Sequence, residues 1–288
     1  MGRDWEGNSI GDLWVKEVGK WIGIDIDARL SQIPRLLNEA NWDSFGFDPR
    51  VARHALALAA LLYRFYFRVR TRGIERVPQG RVLLIANHSG QLPFDGAMLA
   101  TALVLEANPP RLARSMVERW SAELPFVSFL FPRLGQVVGT PDNARRLLEA
   151  DEALIVFPEG SRGISKTFDR RYQLVEFGLG FMRLALATGT PIVPVAIVGP
   201  EEQYISVANL TSVAKLLGMP AFPIIPQFFF GFLLPLPVRY FIEFGEPLHF
   251  EGDPDDEDTV IESKVVVVKN AIRGMLHRLL RERKSVFL

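Results

Sequence analysis

The feature that most constrains the fold is a run of five apolar residues, Val82–Ala86, that ends abruptly in polar side chains. Three polar residues follow it directly: Asn87, His88 and Ser89. The chain then turns through Gly90 and Pro93 before a predicted helix at Asp95. A short, continuously apolar run is typical of a buried strand, and glycine and proline favour a turn after it. The sequence therefore predicts a buried strand that delivers an imidazole and a carboxylate to one loop.

This imidazole and carboxylate have two interpretations. A neutral imidazole can take a proton from an alcohol, while a carboxylate on its other ring nitrogen fixes the tautomer and stabilises the imidazolium. His88 and Asp95 are therefore candidate catalytic residues. In the alternative, Asp95 caps a helix over Gly96–Ala107 and His88 is a hydrogen-bonded loop residue. Because the chain has no cysteine, a thiol nucleophile is excluded.

Further apolar runs predict the fold class. Two of them, Ala153–Phe157 and Pro191–Val198, are continuous like the first, and shorter strands are expected at Leu112–Val117 and Gln136–Val138. Continuous apolar strands are typical of sheets that are covered on both faces. Strands and helical patterns alternate from Phe67 onward, which predicts an α/β fold built of layers.

A second motif, FPEGSRG at Phe157–Gly163, follows the second apolar run. Glycines at 160 and 163 let backbone amides approach an anion, and the planar guanidinium of Arg162 matches a phosphate or carboxylate. We expect Glu159 to order this loop or to pair with Arg162 rather than to touch an anionic ligand. A purely structural Glu–Arg pair is the alternative.

Together the two motifs resemble the glycerolipid acyltransferase family, which includes lysophosphatidic acid acyltransferases and a monoacylglycerol acyltransferase-like branch. The likeness runs in order from Phe65 to Phe250, and Gly189–Val195 is similar to the family's last block. It implies a layered mixed sheet flanked by helices, as in glycerol-3-phosphate acyltransferase. It also implies His88 as the general base, Asp95 as its partner, and an acceptor site formed by Glu159, Gly160, Ser161 and Arg162.

Three departures from the family pattern bear on the site. Six residues, Ser89–Phe94, separate the histidine from the aspartate where four are commonest, so the loop must bulge for the pair to meet. The stretch Gly135–Pro141 ends in proline where the family usually has arginine, and Phe177–Gly180 reads FGLG where Lys-Gly is common. The residues GQLPFD at 90–95 favour the monoacylglycerol acyltransferase-like branch.

The resemblance implies acyl transfer without an acyl-enzyme. The acceptor hydroxyl, deprotonated by His88, would attack the thioester of an acyl-CoA or an acyl carrier protein. Backbone amides near Asn87, Ser89 and Gly90 are the predicted oxyanion donors. No cofactor beyond the acyl donor is expected, and no metal, because thioester chemistry needs none. Two rivals stay open: a thioesterase or lipid hydrolase with the same pair, and a lipid-binding protein without activity.

We divide the chain into an N-terminal helical region at 1–62, an acyltransferase domain at 63–250, and an acidic loop with a C-terminal amphipathic helix at 251–288. Four tryptophans in the first region favour a membrane–water boundary: Trp5, Trp14, Trp21 and Trp42. A helical appendage packed on the core is the alternative. The first residues lack an apolar signal core, so we expect a peripheral protein on the cytoplasmic face of a membrane, with membrane lipids as partners. The net charge of zero predicts no nucleic-acid partner.

Three further segments complete the predictions. Residues 216–238 carry no charge but contain five prolines, and irregular backbone cannot face lipid, so we predict a surface loop rather than a transmembrane helix. Its phenylalanines would enter one leaflet or line an acyl channel: Phe228, Phe229, Phe230 and Phe232. A helix is predicted over Gln173–Ala187. In the C-terminal helix, a stripe containing Val268 and Ile272 is expected to pack on the core.

Overall fold

The computed structural model describes residues 9–287 apart from 35–36, 39–40, 91, 120–123, 126, 217–220, 230 and 232–233. Its strands are β1 (Arg70–Arg72), β2 (Val82–Ala86), β3 (Ala113–Val117), β4 (Val137–Val138), β5 (Ala153–Val156), β6 (Ile192–Val198), β7 (Ala208–Asn209), β8 (Pro223–Ile224) and β9 (Phe241–Phe244).

The main sheet has seven strands in the order β1-β9-β6-β2-β5-β3-β4. The β6–β9 pair is antiparallel and the other neighbours are parallel, so the sheet is mixed, as predicted. β2 lies between β5 and β6, with Leu83 opposite both Leu154 and Ile192. Every residue of β2 is buried, which explains why this strand is apolar on both faces.

Helices cover both faces of this sheet, giving the three layers that the alternation of elements predicted. They are α1 (Ile10–Ile22), α2 (Ile26–Ser31), α3 (Pro49–Leu61), α4 (Phe94–Leu105), α5 (Val127–Arg133), α6 (Pro141–Glu149), α7 (Ser161–Ile164), α8 (Gly180–Thr188), α9 (Pro200–Gln203), α10 (Thr211–Leu216), α11 (Pro226–Phe229) and α12 (Asp258–Glu282). One hydrophobic cluster joins the sheet to α1–α4. The other joins it to α6, α8 and α12.

Two predicted helix boundaries were wrong. The helix predicted over Gln173–Ala187 begins only at Gly180, because the preceding residues run as a loop in which the Gly178 amide donates to the carbonyl of Pro158 (2.9 Å). The helix after the first motif begins at Phe94, so Asp95 lies in its first turn and is not its N-cap. The carboxylate of Asp95 has other hydrogen-bond partners, described below.

The N-terminal helices pack on one another and on α4, which covers the sheet. Val15, Val18 and Ile22 of α1 are buried in the core, and the buried guanidinium of Arg53 on α3 pairs with Asp12 on α1 and with Asp27 on α2. This is the packing that the alternative interpretation predicts. Three tryptophans of the region remain partly exposed, namely Trp14, Trp21 and Trp42, while Trp5 lies outside the described residues. Association of this region with a membrane stays a prediction.

The uncharged segment at 216–238 contains β8 and α11 rather than one long helix. Phe228 and Phe229 are exposed on it, and Phe230 and Phe232 lie outside the described residues. Among the residues that the structure describes, no helix is both long enough and apolar enough to cross a membrane. At the C-terminus, the predicted apolar stripe of α12 is buried against the sheet, including Val268 and Ile272.

Candidate active site

The His88 and Asp95 side chains meet despite the long loop between them. His88 Nδ1 lies 2.7 Å from Asp95 Oδ2. Gly90 makes the predicted bulge possible, because its φ of 78° lies in the left-handed region that glycine adopts without strain. A Cβ on Gly90 would lie 2.5 Å from Gln203 Nε2, so this turn also has no room for a side chain.

Asp95 is fully buried and its carboxylate accepts several hydrogen bonds. Besides the imidazole, the backbone amides of Ser89 (2.9 Å) and Gly96 (2.8 Å) donate to it. With Nδ1–H of His88 donating to Asp95, the lone pair of Nε2 is left to accept a proton. The His88 ring also stacks on Phe157, with centroids 4.2 Å apart. The ring is thus fixed in position by the carboxylate at its edge and by the aromatic face beneath it.

The side chains of Asn87 and Ser89 differ in their hydrogen bonding. The Asn87 side chain donates to the carbonyl of Ile197 (3.0 Å) and accepts from the Ile197 amide (2.8 Å), which ties the end of β2 to β6. Ser89 is buried. Its hydroxyl has no hydrogen-bond partner in the part of the chain that the structure describes.

Two backbone amides of the predicted oxyanion segment Asn87–Gly90 are already engaged in this arrangement. The His88 amide donates to Glu159 Oε1 (2.9 Å), and the Ser89 amide donates to Asp95. Both amides therefore hold the loop to a buried carboxylate. Their use by an oxyanion stays a prediction that would need one of these bonds to open.

Glu159 connects the two motifs. It is buried, and it accepts from the amides of His88 and Val175, each at 2.9 Å. The expectation that Glu159 orders the loop agrees with these bonds. The alternative, that it pairs with Arg162, was wrong: Arg162 pairs with Glu176 (3.0 Å) at the surface. Burial explains the difference. Glu159 points inward toward the loop at 87–93 that carries His88, called the catalytic loop below, and Arg162 points outward to solvent.

Gly163 brings the second motif into direct contact with the first. A Cβ at this position would lie 2.9 Å from the Cβ of His88 and 2.8 Å from the Cβ of Glu159. The short helix α7 can therefore pack on the catalytic loop only because residue 163 has no side chain. Gly160, just before α7, has a φ of 56° and forms the turn into it.

The other polar groups of the predicted acceptor site at 159–162, called the acceptor block below, face carboxylates. The Ser161 amide donates to Glu118 Oε1 (3.0 Å), a residue that follows β3. The Arg162 guanidinium is 59% exposed and its partner Glu176 is 77% exposed. The structure thus places Ser161 and Arg162 on the helical turn that contacts the His88 loop, with the Ser161 amide and the Arg162 guanidinium bonded to acidic side chains.

Sequence reasoning missed a buried ionic cluster behind the catalytic loop. Lys166 Nζ lies 2.8 Å from Glu201 Oε1 and 3.5 Å from Glu159 Oε2. The Tyr172 amide donates to Glu201 Oε2 (2.6 Å). Burial raises the pKa of Glu201 to about 7, although Lys166 opposes this shift. In the sequence, Lys166 is visible only as a lysine three residues after the second motif.

Within the described ranges, no group of three or more His, Asp or Glu side chains is placed to hold a metal ion. The candidate site consists of the His88–Asp95 pair, the buried acidic side chains behind it, and the one-turn helix α7 that follows Gly160.

Comparisons with known proteins agree with this geometry. A family model described as Acyltransferase matches residues 68–198, which span both motifs. An uncharacterized protein of Mycobacterium leprae is 37% identical, and the match covers 88% of this chain and 71% of that protein. One from Mycobacterium tuberculosis is also 37% identical, with 88% and 73% covered. A shorter match, 31% identical over 43% of this chain and 47% of the relative, is to a probable 1-acyl-sn-glycerol-3-phosphate acyltransferase of Mycoplasma pneumoniae.

A solved structure extends the agreement in fold to nearly the whole chain. The crystal structure of the 1-acyl-sn-glycerophosphate acyltransferase PlsC from Thermotoga maritima superposes with a TM-score of 0.51, covering 95% of each chain at 18% identity. At that identity the likeness concerns the fold. Taken with the two motifs, the family model and the relatives, it leads to one conclusion: this chain belongs to the lysophosphatidic acid acyltransferase-like family of acyltransferases.

Proposed function

We propose that this acyltransferase moves a fatty acyl group from a thioester donor, acyl-CoA or an acyl carrier protein, to a hydroxyl of a glycerolipid. The observation that carries the proposal is the 2.7 Å contact between His88 Nδ1 and the buried carboxylate of Asp95. The contact leaves Nε2 as the base, and it stabilises the positive charge that the ring acquires. Of the residue pairs in the two motifs, this one has the geometry that acyl transfer to an alcohol requires.

The chemical steps follow from this pair. Nε2 of His88 takes the proton of the acceptor hydroxyl as the hydroxyl oxygen attacks the thioester carbonyl. The tetrahedral intermediate then collapses, the C–S bond breaks, and the leaving thiolate takes the proton from the imidazolium. The products are the acylated glycerolipid and the free thiol of the donor. Gly160, Ser161 and Arg162 would bind the head of the acceptor, with Glu159 holding their loop beside His88.

The proposed setting is the cytoplasmic face of a membrane, with the protein bound peripherally and membrane lipids as its partners. Exposed Trp14 and Trp21 on α1 support this setting, because the amphipathic indole ring favours the membrane–water boundary. Exposed Phe229 on α11 adds an apolar ring that lipid can cover. Binding of the purified protein to liposomes, measured by cosedimentation, tests it. Failure to bind vesicles of any headgroup composition would contradict it.

The function is tested by an acyl-transfer assay with radiolabelled donors and a panel of lysophospholipids, lysophosphatidic acid and monoacylglycerol. We expect a lipid product, and we expect His88→Ala to lower the rate by about 10²–10⁴-fold, the usual contribution of a general base. The variant's melting temperature checks that it folds. Free fatty acid released without need for an acceptor would indicate the thioesterase instead. Liposome binding with no transfer from either donor would indicate a lipid-binding protein.

A further inference from the structure

We propose that Gln203 is a positioning residue of the acyltransferase: its buried side chain supports the bulge of the catalytic loop and so keeps His88 against Asp95. The inference rests on the proposed function, because the base that Gln203 would hold in place is His88. It also gives a role to the unusual length of the loop, in which six residues separate His88 from Asp95.

Gln203 lies directly against the bulge. It is the last residue of α9, the turn that follows β6, and it is fully buried. A Cβ on Gly90 would lie 2.5 Å from Gln203 Nε2 and 2.9 Å from the carbonyl oxygen of Pro200, so the bare face of Gly90 packs on this turn. Gln203 Nε2 also donates to the carbonyl of Leu92 (3.4 Å). One side chain therefore contacts the bulge at two places, Gly90 and Leu92.

Tyr240 fixes the direction in which the Gln203 amide points. The Leu92 carbonyl can only accept a hydrogen bond, so the amide nitrogen must face it, and Oε1 is left for another donor. That donor is the hydroxyl of Tyr240, which is fully buried. Burial raises the pKa of Tyr240 well above its usual range, and the negative charge of Asp95 adds to the shift. The hydroxyl therefore keeps its proton and remains a donor.

The backbone of Gln203 is anchored separately. Its carbonyl accepts from the Leu236 amide (2.8 Å) and from Gln227 Nε2 (2.9 Å). Gln227 Oε1 accepts in turn from the Ile205 amide (2.8 Å). Because its backbone and its side chain are both bonded to other elements, Gln203 is fixed in place and can restrain the loop.

This restraint bears on catalysis because Gly90 and Leu92 lie between the two residues of the catalytic pair. A long loop can bulge in several ways, and each way places the His88 ring differently relative to Asp95. Misplacement by about 1 Å can cost about 10²-fold in rate. The bond to Asp95 fixes the His88 ring at its edge, whereas Gln203 fixes the backbone of the bulge. Loss of the Gln203 side chain should therefore lower kcat and leave the binding of substrates almost unchanged.

The first test is steady-state kinetics on Gln203→Met, whose side chain has a similar length but makes neither hydrogen bond. We expect kcat to fall by about tenfold, with the KM of both substrates within about twofold of its original value. Tyr240→Phe, which removes only the donor to Oε1, should lower kcat by about threefold. Gln32→Met is the matched control: it makes the same substitution at an exposed residue after α2 and should change neither quantity.

The double variant Gln203→Met with Tyr240→Phe keeps the test valid if Gln203→Met folds poorly. It removes both partners of a buried hydrogen bond and leaves no unpaired hydroxyl, which destabilises a protein less than removing one partner. We expect the same loss of kcat, about tenfold, at a melting temperature closer to that of the unaltered protein. An unchanged kcat in either variant would overturn the inference.

A spectroscopic measurement separates this inference from the proposed function. In protein that contains isotopically labelled histidine, the nitrogen chemical shifts report which ring nitrogen carries the proton, and His88→Ala identifies the signals of His88. At a pH where the ring is neutral, we expect the proton on Nδ1 in the unaltered protein and a mixture of both tautomers in Gln203→Met.

The outcomes of the two measurements are distinct. The expected change in tautomer supports positioning by Gln203 even if no acceptor is ever acylated, in which case only the proposed function fails. His88 signals that are the same in the unaltered protein and in Gln203→Met would overturn the inference even if kcat falls, because the base would then be held as before.

Discussion

The two halves of the candidate site differ in how firmly they are held. In the catalytic half, the fully buried Asp95 receives hydrogen bonds from the His88 imidazole and from the amides of Ser89 and Gly96. In the acceptor half, the guanidinium of Arg162 is 59% exposed and pairs with a carboxylate of Glu176 that is 77% exposed. The His88–Asp95 pair is fixed by buried bonds, whereas Arg162 of the acceptor half is held by a surface ion pair.

This difference follows from the physics of burial. Removing one partner of a hydrogen-bonded carboxylate inside a protein destabilises the fold strongly, because the charge is then uncompensated where water cannot reach it. An exposed ion pair contributes about 0–1 kcal/mol, so a ligand can displace it. The arrangement suits the proposed function, in which the base must be in place before the substrate binds and the acceptor site must open to admit a lipid.

The largest effect should come from Asp95→Asn. The amide cannot stabilise the imidazolium by charge, and it can hold His88 in the wrong tautomer, so we expect kcat to fall by about 10²–10⁴-fold. The measurement is the acyl-transfer rate at saturating donor. Glu262→Gln, a carboxylate-to-amide change on the exposed face of α12, is the control and should leave kcat unchanged.

A small effect of Asp95→Asn on kcat, in a variant that melts like the unaltered protein, would break the comparison. It would mean that the buried bonds of Asp95 serve the fold of the loop and not the chemistry.

The fold and the candidate pair of His88 and Asp95 could be predicted from the sequence for identifiable reasons. Runs such as Val82–Ala86 are apolar on both faces because they lie inside a covered sheet, so they could be recognised without the structure. His88 and Asp95 follow the end of that strand, and both belong to the first motif. Because six residues separate them, the sequence alone did not decide whether the two side chains meet. In the structure they do, because Gly90 adopts the left-handed conformation that the bulged loop requires.

What the sequence did not reveal depends on side chains that meet through tertiary structure. Glu118 and Ser161 are 43 residues apart, and Lys166 and Glu201 are 35 apart. No local period or spacing encodes such pairs. The helix predicted from Gln173 failed for a related reason: the apolar pattern there continues through a loop whose amide at Gly178 is bonded to Pro158.

A second prediction concerns the buried ionic cluster behind the catalytic loop. Burial raises the pKa of Glu201 to about 7 from an ordinary value of 4.5. Between these two pH values the folded protein binds the proton and the unfolded chain has released it. The stability that Glu201 contributes is therefore fully present below pH 4.5 and is lost as the pH rises to 7.

Glu201→Gln removes this titration. We expect the free energy of unfolding of the unaltered protein, relative to the variant, to fall by about 1–3 kcal/mol between pH 4.5 and 7.5 and then to stay level. Urea unfolding across this pH range measures it. Parallel curves for the two proteins would show that Glu201 is ionised throughout and that Lys166 outweighs its burial.

The smallest effect should come from Arg162→Ala in the exposed half. Because the Arg162–Glu176 pair is at the surface, its loss should change the free energy of unfolding by less than about 0.5 kcal/mol. We expect kcat/KM to fall by about three- to tenfold, with the loss in KM rather than in kcat, since Arg162 would contact the head of the acceptor and not the reacting atoms. Steady-state kinetics and thermal melts on the same preparation measure both quantities, with Arg145→Ala on the exposed side of α6 as the matched control. A loss in kcat as large as that of Asp95→Asn would contradict the comparison, because it would mean that Arg162 acts on the transition state and that the acceptor half becomes as firmly ordered as the catalytic half once the lipid is bound.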